Sequence, residues 1–252
     1  MEIICTLADR IVHFDLTRPI DISLPLQEGT EAVSCFYAPP VEMQPWRSEH
    51  FTGSVAEGGA VNYFWVKFYP HGNGTHTESL GHLTPDRYSI QEALKEFHFP
   101  AQLISVYPEQ LDNGDRVITH RQMSGVDFLP GIRALILRTL PNENLKQRHS
   151  YSGTNPPYLD VGLMEAIVAA GVEHLLIDLP SVDREEDGGV LAAHRCFWQL
   201  DGMQPRKHAT ITELIYVANT VQDGLYLLNI QISNLDMDAS PSKPVIYPLS
   251  KK

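Results

Sequence analysis

The stretch from residue 134 to residue 178 constrains the fold most. An apolar run, Ala134–Thr139, precedes a polar loop over 141–157, a helix-patterned stretch, Asp160–Gly171, and a second apolar run, Val172–Asp178. Short runs that are apolar throughout suit strands buried on both faces, and a helix between two of them gives a strand–helix–strand rhythm with Gly171 as its stop. Further extended segments are predicted over 11–26, punctuated by Pro19 and Pro25, and over 61–69, 101–107, 211–219 and 225–232. Gln222-Asp-Gly224 is predicted as a tight turn joining the last two. Ser89 and Glu92 have the spacing of a capping box, which predicts a helix over 89–97, whereas 28–60 is rich in glycine and proline and reads as irregular. Periodicity thus supports an α/β or α+β chain, and a length of 252 residues suits one domain spanning 1–252.

Charge narrows the function. A formal net charge of -12 opposes nucleic acid, whose binding needs Lys and Arg to neutralise phosphates, and disfavours anionic membrane surfaces. The longest apolar runs are far too short to span a bilayer. The N-terminal segment lacks a basic start, and Asp9 and Arg10 interrupt its apolar stretch, so it does not read as a signal peptide. Cys5, Cys35 and Cys196 are odd in number and widely spaced, which suits neither a disulfide framework nor a paired-cysteine metal site. The expectation is a cytoplasmic protein that acts on a small molecule.

The candidate chemistry lies in His71-Gly-Asn-Gly-Thr-His76-Thr-Glu78-Ser-Leu-Gly-His82. Imidazole nitrogens and a carboxylate suit zinc, and also manganese or iron, and Gly72, Gly74 and Gly81 permit tight turns. Spacing alone is compatible with a metal site or with solvated loop histidines. Because the segment follows the run over 61–69, it is expected at the end of that strand. No Gly-x-Ser-x-Gly elbow is present, and Gly-Asn-Gly-Thr-His lacks the lysine and helix start of a phosphate-cradling loop.

Gly74-Thr-His76-Thr-Glu78 with His82 resembles the signature of the cyclase family, of kynurenine formamidase-like type, which reads His-x-Gly-Thr-His-x-Asp followed after a few small residues by His. Asp15-Leu-Thr-Arg-Pro-Ile20, the stretch from Val172 to Asp183, His194, Thr212-Glu-Leu214 and Asp238–Pro244 resemble its other landmarks, so the likeness runs from about residue 13 to the C-terminus. The resemblance implies a swivelling β/β/α-type fold with a mixed sheet and flanking helices, and a homo-oligomer, dimer or tetramer. It implies one or two divalent ions, zinc first with manganese as the alternative, held by His71, His76, Glu78, His194 and Glu213, with His82 as the acid-base group.

Two departures stand out. His71 and His76 are five apart where the family has four, so in extended backbone one ring would turn away unless a bulge at Gly72 and Asn73 absorbs the extra residue; and Glu78 replaces aspartate. His208, in a longer stretch after His194, reads as a pocket or surface group, while Asp178, Ser181 and Asp183 read equally as ligand-orienting groups or as loop caps. The aromatic stretches Tyr63-Phe-Trp65 and Phe197-Trp198 would line an aryl pocket or, more commonly, fill a core.

The resemblance implies hydrolysis of a C–N bond in an amide or cyclic amide, N-formylkynurenine being the family's best-known substrate. A bound ion lowers the pKa of its water from about 15.7 to about 7 and polarises a carbonyl, and a histidine of reference pKa about 6.5 can hand a proton to the departing amine. The alternatives are a lactonase or esterase of the same family, and a metal-binding protein without turnover.

Overall fold

The computed structural model describes all residues except 124, 126, 251 and 252. The chain opens with a hairpin of β1 (Glu2–Leu7) and β2 (Arg10–Asp15), followed by the short β3 (Ile20–Asp21). β4 (Glu42–Pro45) pairs with β7 (Phe64–Lys67) in an isolated two-stranded ribbon, and β5 (Arg47–Ser48) pairs with β6 (Phe51–Thr52) between them. β8 (His76–Glu78) follows, then a single helical turn, α1 (Ile90–Ala93), and the long β9 (His98–Val106). β10 (Glu109–Gln110) and β11 (Arg116–Ile118) join β13 (Tyr158–Leu159) in a small sheet, with β12 (Ala134–Thr139) between them in sequence. α2 (Val161–Ala169), β14 (His174–Ile177), α3 (Ala192–Trp198), β15 (Thr210–Glu213), β16 (Gly224–Ile232) and β17 (Ala239–Pro248) complete the chain.

Seven strands close into a barrel in the order β16, β9, β12, β14, β15, β8, β17, with β17 pairing back onto β16 and β3 added at β17. β9, β12, β14 and β15 run parallel, and the other pairings in the ring are antiparallel, so the sheet is mixed as expected. β12 and β14 are largely apolar because both faces are covered. On the outer face Leu135, Leu137, Leu175, Ile177 and Ile211 pack with Leu163, Met164 and Ile167 of α2 and with Phe197 and Trp198 of α3. Alternation sends Ile136, Leu176, Leu103, Leu228, Ile230 and Ile246 to the other face, which fills the barrel. α2 starts where Asp160 accepts the Leu163 N–H at 2.7 Å and stops at Gly171, whose φ of +81° favours a residue without a side chain.

Four local expectations need correction. The segment over 211–219 is a strand only to Glu213, and β15 and β16 do not form a hairpin through Gln222–Gly224, because they sit on opposite sides of the ring. The Ser89–Glu92 capping box is present, but its helix is one turn, since Leu94 leaves the helical region. β7 does not carry the histidine segment at its end: it belongs to the ribbon, and residues 76–78 form a barrel strand of their own. Tyr63, Phe64 and Trp65 accordingly do not fill the core but are exposed, whereas Phe197 and Trp198 are fully buried. No helix among the described residues is long and apolar enough to cross a membrane.

Candidate metal centre

β8 lies between β15 and β17, and its register places His76 opposite Glu213 and Glu78 opposite Ile211. Successive strand residues alternate faces, so His76 and Glu78 share the helix-facing side with Glu213, while Thr77 points the other way and meets Thr212 at 2.8 Å. His76 Nε2 comes within 3.3 Å of Glu213 Oε2. α3 brings His194 over this pair, with Nε2 3.1 Å from Glu78 Oε1 and 3.8 Å from Glu213 Oε1. All four side chains are almost completely buried.

His71 does not lie in extended backbone. The N–H groups of Gly72 and Asn73 both donate to Tyr69 O, and Asn73 Oδ1 accepts the Tyr69 N–H, so the residue sits on a tight turn. Cys35 pins that turn by donating its thiol to His71 O and its N–H to Gly72 O. No strand bulge is needed: the extra residue between His71 and His76 is taken up in the turn and at Gly74, whose φ is +68°. His71 Nδ1 thereby reaches 3.0 Å from Glu78 Oε2. His82 lies on a single 3-10 turn, Leu80–Leu83, and its ring stacks on His71 with centroids 4.1 Å apart. Gly81 is required there, since a Cβ would stand 2.2 Å from Tyr88 O.

The structure thus gathers His71, His76, Glu78, His194 and Glu213, the five ligand candidates, with His82, the acid-base candidate. His208 is exposed and stands apart. Of the three acidic or hydroxyl groups after β14, Asp183 faces the cluster, accepting the N–H groups of Ala193 and His194 and lying 2.6 Å from His194 Nδ1. Asp178 instead accepts from Thr139 and Lys146, and Ser181 accepts the Asp183 N–H. Asp238 was not anticipated as part of the site; its Oδ2 lies 2.8 Å from His71 Nε2 and 3.6 Å from His82 Nδ1. Its only sequence signal is its place at the start of the closing stretch, 167 residues from His71.

Each buried or half-buried ring turns one nitrogen toward the carboxylates and ties down the other. His194 Nδ1 is held by Asp183, His71 Nε2 by Asp238, and His76 Nδ1 lies 3.2 Å from Gly74 O. His76 Nε2 and Glu78 Oε2 are buried and make no hydrogen bond of good geometry among the described residues, although Glu213 Oε2 lies 3.3 Å from the first and His71 Nδ1 3.0 Å from the second. Imidazole nitrogens and carboxylate oxygens converging on one buried spot are the donor set of a divalent cation. Candidate ligand atoms of His71, His76 and Glu78 lie within 4.8 Å of one another, as do those of Glu78, His82 and His194.

The electrostatics agree. Burial opposes ionisation of Glu78, but the His82, His194 and His71 rings around it hold its carboxyl well below the usual range. Burial lowers the basicity of His71 and His194, yet Asp238 and Glu78 around the first, and Asp183 and Glu78 around the second, outweigh it and push both up to about 10. In the metal-free protein these rings therefore hold protons at neutral pH, in the place a cation would take. Ligation needs neutral imidazole, so metal uptake should release one or more protons per ion and tighten as pH rises from neutral toward about 10. Calorimetric titration in two buffers of different ionisation enthalpy at pH 7.5 measures this; identical heats in both would show that no proton leaves.

The family model described as "Putative cyclase" matches residues 15–184, more than half of the chain. A kynurenine formamidase of Bacillus cytotoxicus is 26% identical over 195 residues, covering 77% of this chain and 83% of that protein. One from Bacillus anthracis is 25% identical over 201 residues, covering 78% and 85%. Among solved structures, a potential metal-dependent hydrolase with cyclase activity superposes with a TM-score of 0.65 at 15% identity, covering 91% of this chain and 97% of the other. Isatin hydrolase A from Labrenzia aggregata, bound to benzyl benzoate, gives 0.64 at 12% identity over 92% and 94%.

Proposed function

Because this chain belongs to the cyclase family, we propose that it is a metal-dependent hydrolase cleaving the C–N bond of an amide or cyclic amide, with an arylformamide such as N-formylkynurenine as the leading substrate type. The observation that carries this reading is the convergence of His76 Nε2 and Glu78 Oε2, two buried ligand atoms without a well-formed hydrogen bond among the described residues, with His71, His194 and Glu213 on one spot. His71, His76, Glu78, His194 and Glu213 would hold one or two divalent ions, zinc first and manganese as the alternative. A bound ion supplies an activated water and a Lewis acid for the scissile carbonyl.

The protein's own residues set the direction of attack. His76, Glu78, His194 and Glu213 close the floor of the site, whereas His71, His82 and Asp238 are 29%, 31% and 27% exposed and form its rim. Substrate approaches over that rim, and His82 stands where a leaving nitrogen would need a proton. Hydrolysis consumes one water and leaves an acid and an amine, and His82 delivers the proton to the nitrogen as the C–N bond breaks. The kynurenine formamidase and isatin hydrolase names of the relatives support hydrolysis of this type.

Metal analysis of purified protein, followed by a panel of aryl formamides, cyclic amides, lactones and esters, tests the reading. Amide turnover that chelation abolishes and a divalent ion restores is the expected result. Turnover confined to lactones and esters would favour the esterase alternative, and a metal-replete protein inert to the whole panel would leave a binding protein. The turn at Tyr69–Asn73, which brings His71 to the cluster despite its shifted spacing, supports turnover over that alternative. A homo-oligomer belongs to the same proposal: the β4–β7 ribbon exposes Trp46, Tyr63, Phe64 and Val66, and sedimentation velocity tests it.

A further inference from the structure

We propose that Asp238 is a positioning residue for this site, which holds His71 in the tautomer and orientation that present Nδ1 to the metal and steadies His82 on the other side. The proposal rests on the metal-hydrolase reading above. Its geometry is a single carboxylate oxygen, Oδ2, facing two stacked rings: His71 Nε2 at 2.8 Å and His82 Nδ1 at 3.6 Å, with the ring centroids 4.1 Å apart.

The backbone aims that oxygen. Asp238 immediately precedes β17, whose first residue pairs with Glu78. Asp238 O accepts the N–H of Ser79 at 2.9 Å and its hydroxyl at 3.2 Å, while Met237 O accepts the Ile90 N–H at 2.7 Å. The segment is therefore fastened both to the strand that carries Glu78 and to the 3-10 turn that carries His82. Gly81 packs so closely that a Cβ there would also approach Asp238 Cβ to 3.1 Å.

His71 needs this help more than the other rings do. His76 is locked in a fully buried strand, and His194 is held by α3 and Asp183. His71 projects from a turn, is partly exposed, and has no other partner for Nε2 among the described contacts. A neutral imidazole has one N–H. If Asp238 accepts it at Nε2, Nδ1 is left with a lone pair directed at the metal side, the arrangement by which a carboxylate behind a histidine makes it a better ligand. Without that acceptor the ring can rotate about its side-chain bonds or carry its proton on the wrong nitrogen.

Asp238→Ala, Asp238→Asn and His71→Ala, with the double variant Asp238→Ala/His71→Ala, test the proposal. Folding is checked by circular dichroism and thermal midpoint, and zinc affinity is measured by competition with a chromophoric chelator. Asp238→Ala should lose about 10- to 100-fold in zinc affinity. Asp238→Asn, whose amide oxygen can still accept, should lose less. In the His71→Ala background the Asp238→Ala change should have no further effect on affinity, because the residue acts through that ring. At saturating zinc, Asp238→Ala should lower kcat with little change in KM, reflecting the loosened His82.

Unchanged affinity and kcat in a folded Asp238→Ala protein would overturn the proposal. So would an equal loss of affinity with or without His71, which would reduce the effect to general negative charge. Loss of one whole equivalent of zinc, in place of weakened affinity, would make Asp238 a ligand and also overturn it. A wild-type protein that binds no divalent ion would instead bring down the metal-hydrolase reading itself.

Discussion

His76→Ala protein is expected to be purified without transition metal and to lose at least about 10³-fold in kcat/KM, equivalent to roughly 4 kcal/mol of transition-state stabilisation. His76 is fully buried and its Nε2 makes no well-formed hydrogen bond among the described residues, so little besides a ligand would hold the ring on that side. Glu213 lies directly across the strand, 3.3 Å away, and would be left facing Glu78 and His194 across an enlarged space. Removing a buried polar partner also costs stability, so the variant must be shown to fold. His76→Gln, which keeps a polar group of similar reach, provides a second test if alanine does not. Elemental analysis of both variants beside wild type decides the matter: wild-type metal content and turnover in a folded His76→Ala protein would remove His76 from the ligand set.

His82→Ala should behave differently, keeping its metal while losing about 10²- to 10⁴-fold in kcat, or roughly 3–5 kcal/mol. The reason lies in where the ring sits. It rides on a 3-10 turn at the rim, stacked on His71 and 5.7 Å from the His194 ring, and remains 31% exposed where a substrate can reach it. The competing view, that His82 merely braces its own loop through Asp238, is weakened because the turn is also held by Ser79 through the Gly81 N–H and the Tyr88 carbonyl. Metal content, thermal midpoint and turnover measured together on this variant separate the two. Full activity per folded, metal-replete molecule would exclude His82 from proton transfer, and a lowered midpoint with intact kcat would make it a brace.

The strands read over 101–107, 134–139 and 172–178 are barrel strands at 98–106, 134–139 and 174–177, legible because a strand covered on both faces is largely apolar. The sharing of one face by His76 and Glu78 was not legible, since the segment read as a loop at a strand end and only pairing with β15 and β17 makes it a strand. The 61–69 run misled for the same reason: aromatic and β-branched residues announce a strand, but not whether it joins the barrel or an exposed ribbon. His194 and Glu213 were found only through the resemblance to a family, since nothing in their local spacing links them to His76.

By itself, then, the sequence determined local geometry such as the apolar strands at 134–139 and 174–177 and where α2 begins and ends. The tertiary structure alone decided that β17 closes the ring beside β8, that Asp238 arrives next to His71 across 167 residues, and that Asp183 faces His194. It also decided that a turn pinned by Cys35, and not a bulge, brings His71 to Glu78. Local periodicity follows from the covalent chain, which is the same wherever a strand ends up. Which strands become neighbours, and in what register, is set by the joint burial of apolar faces and the pairing of backbone groups across the whole molecule.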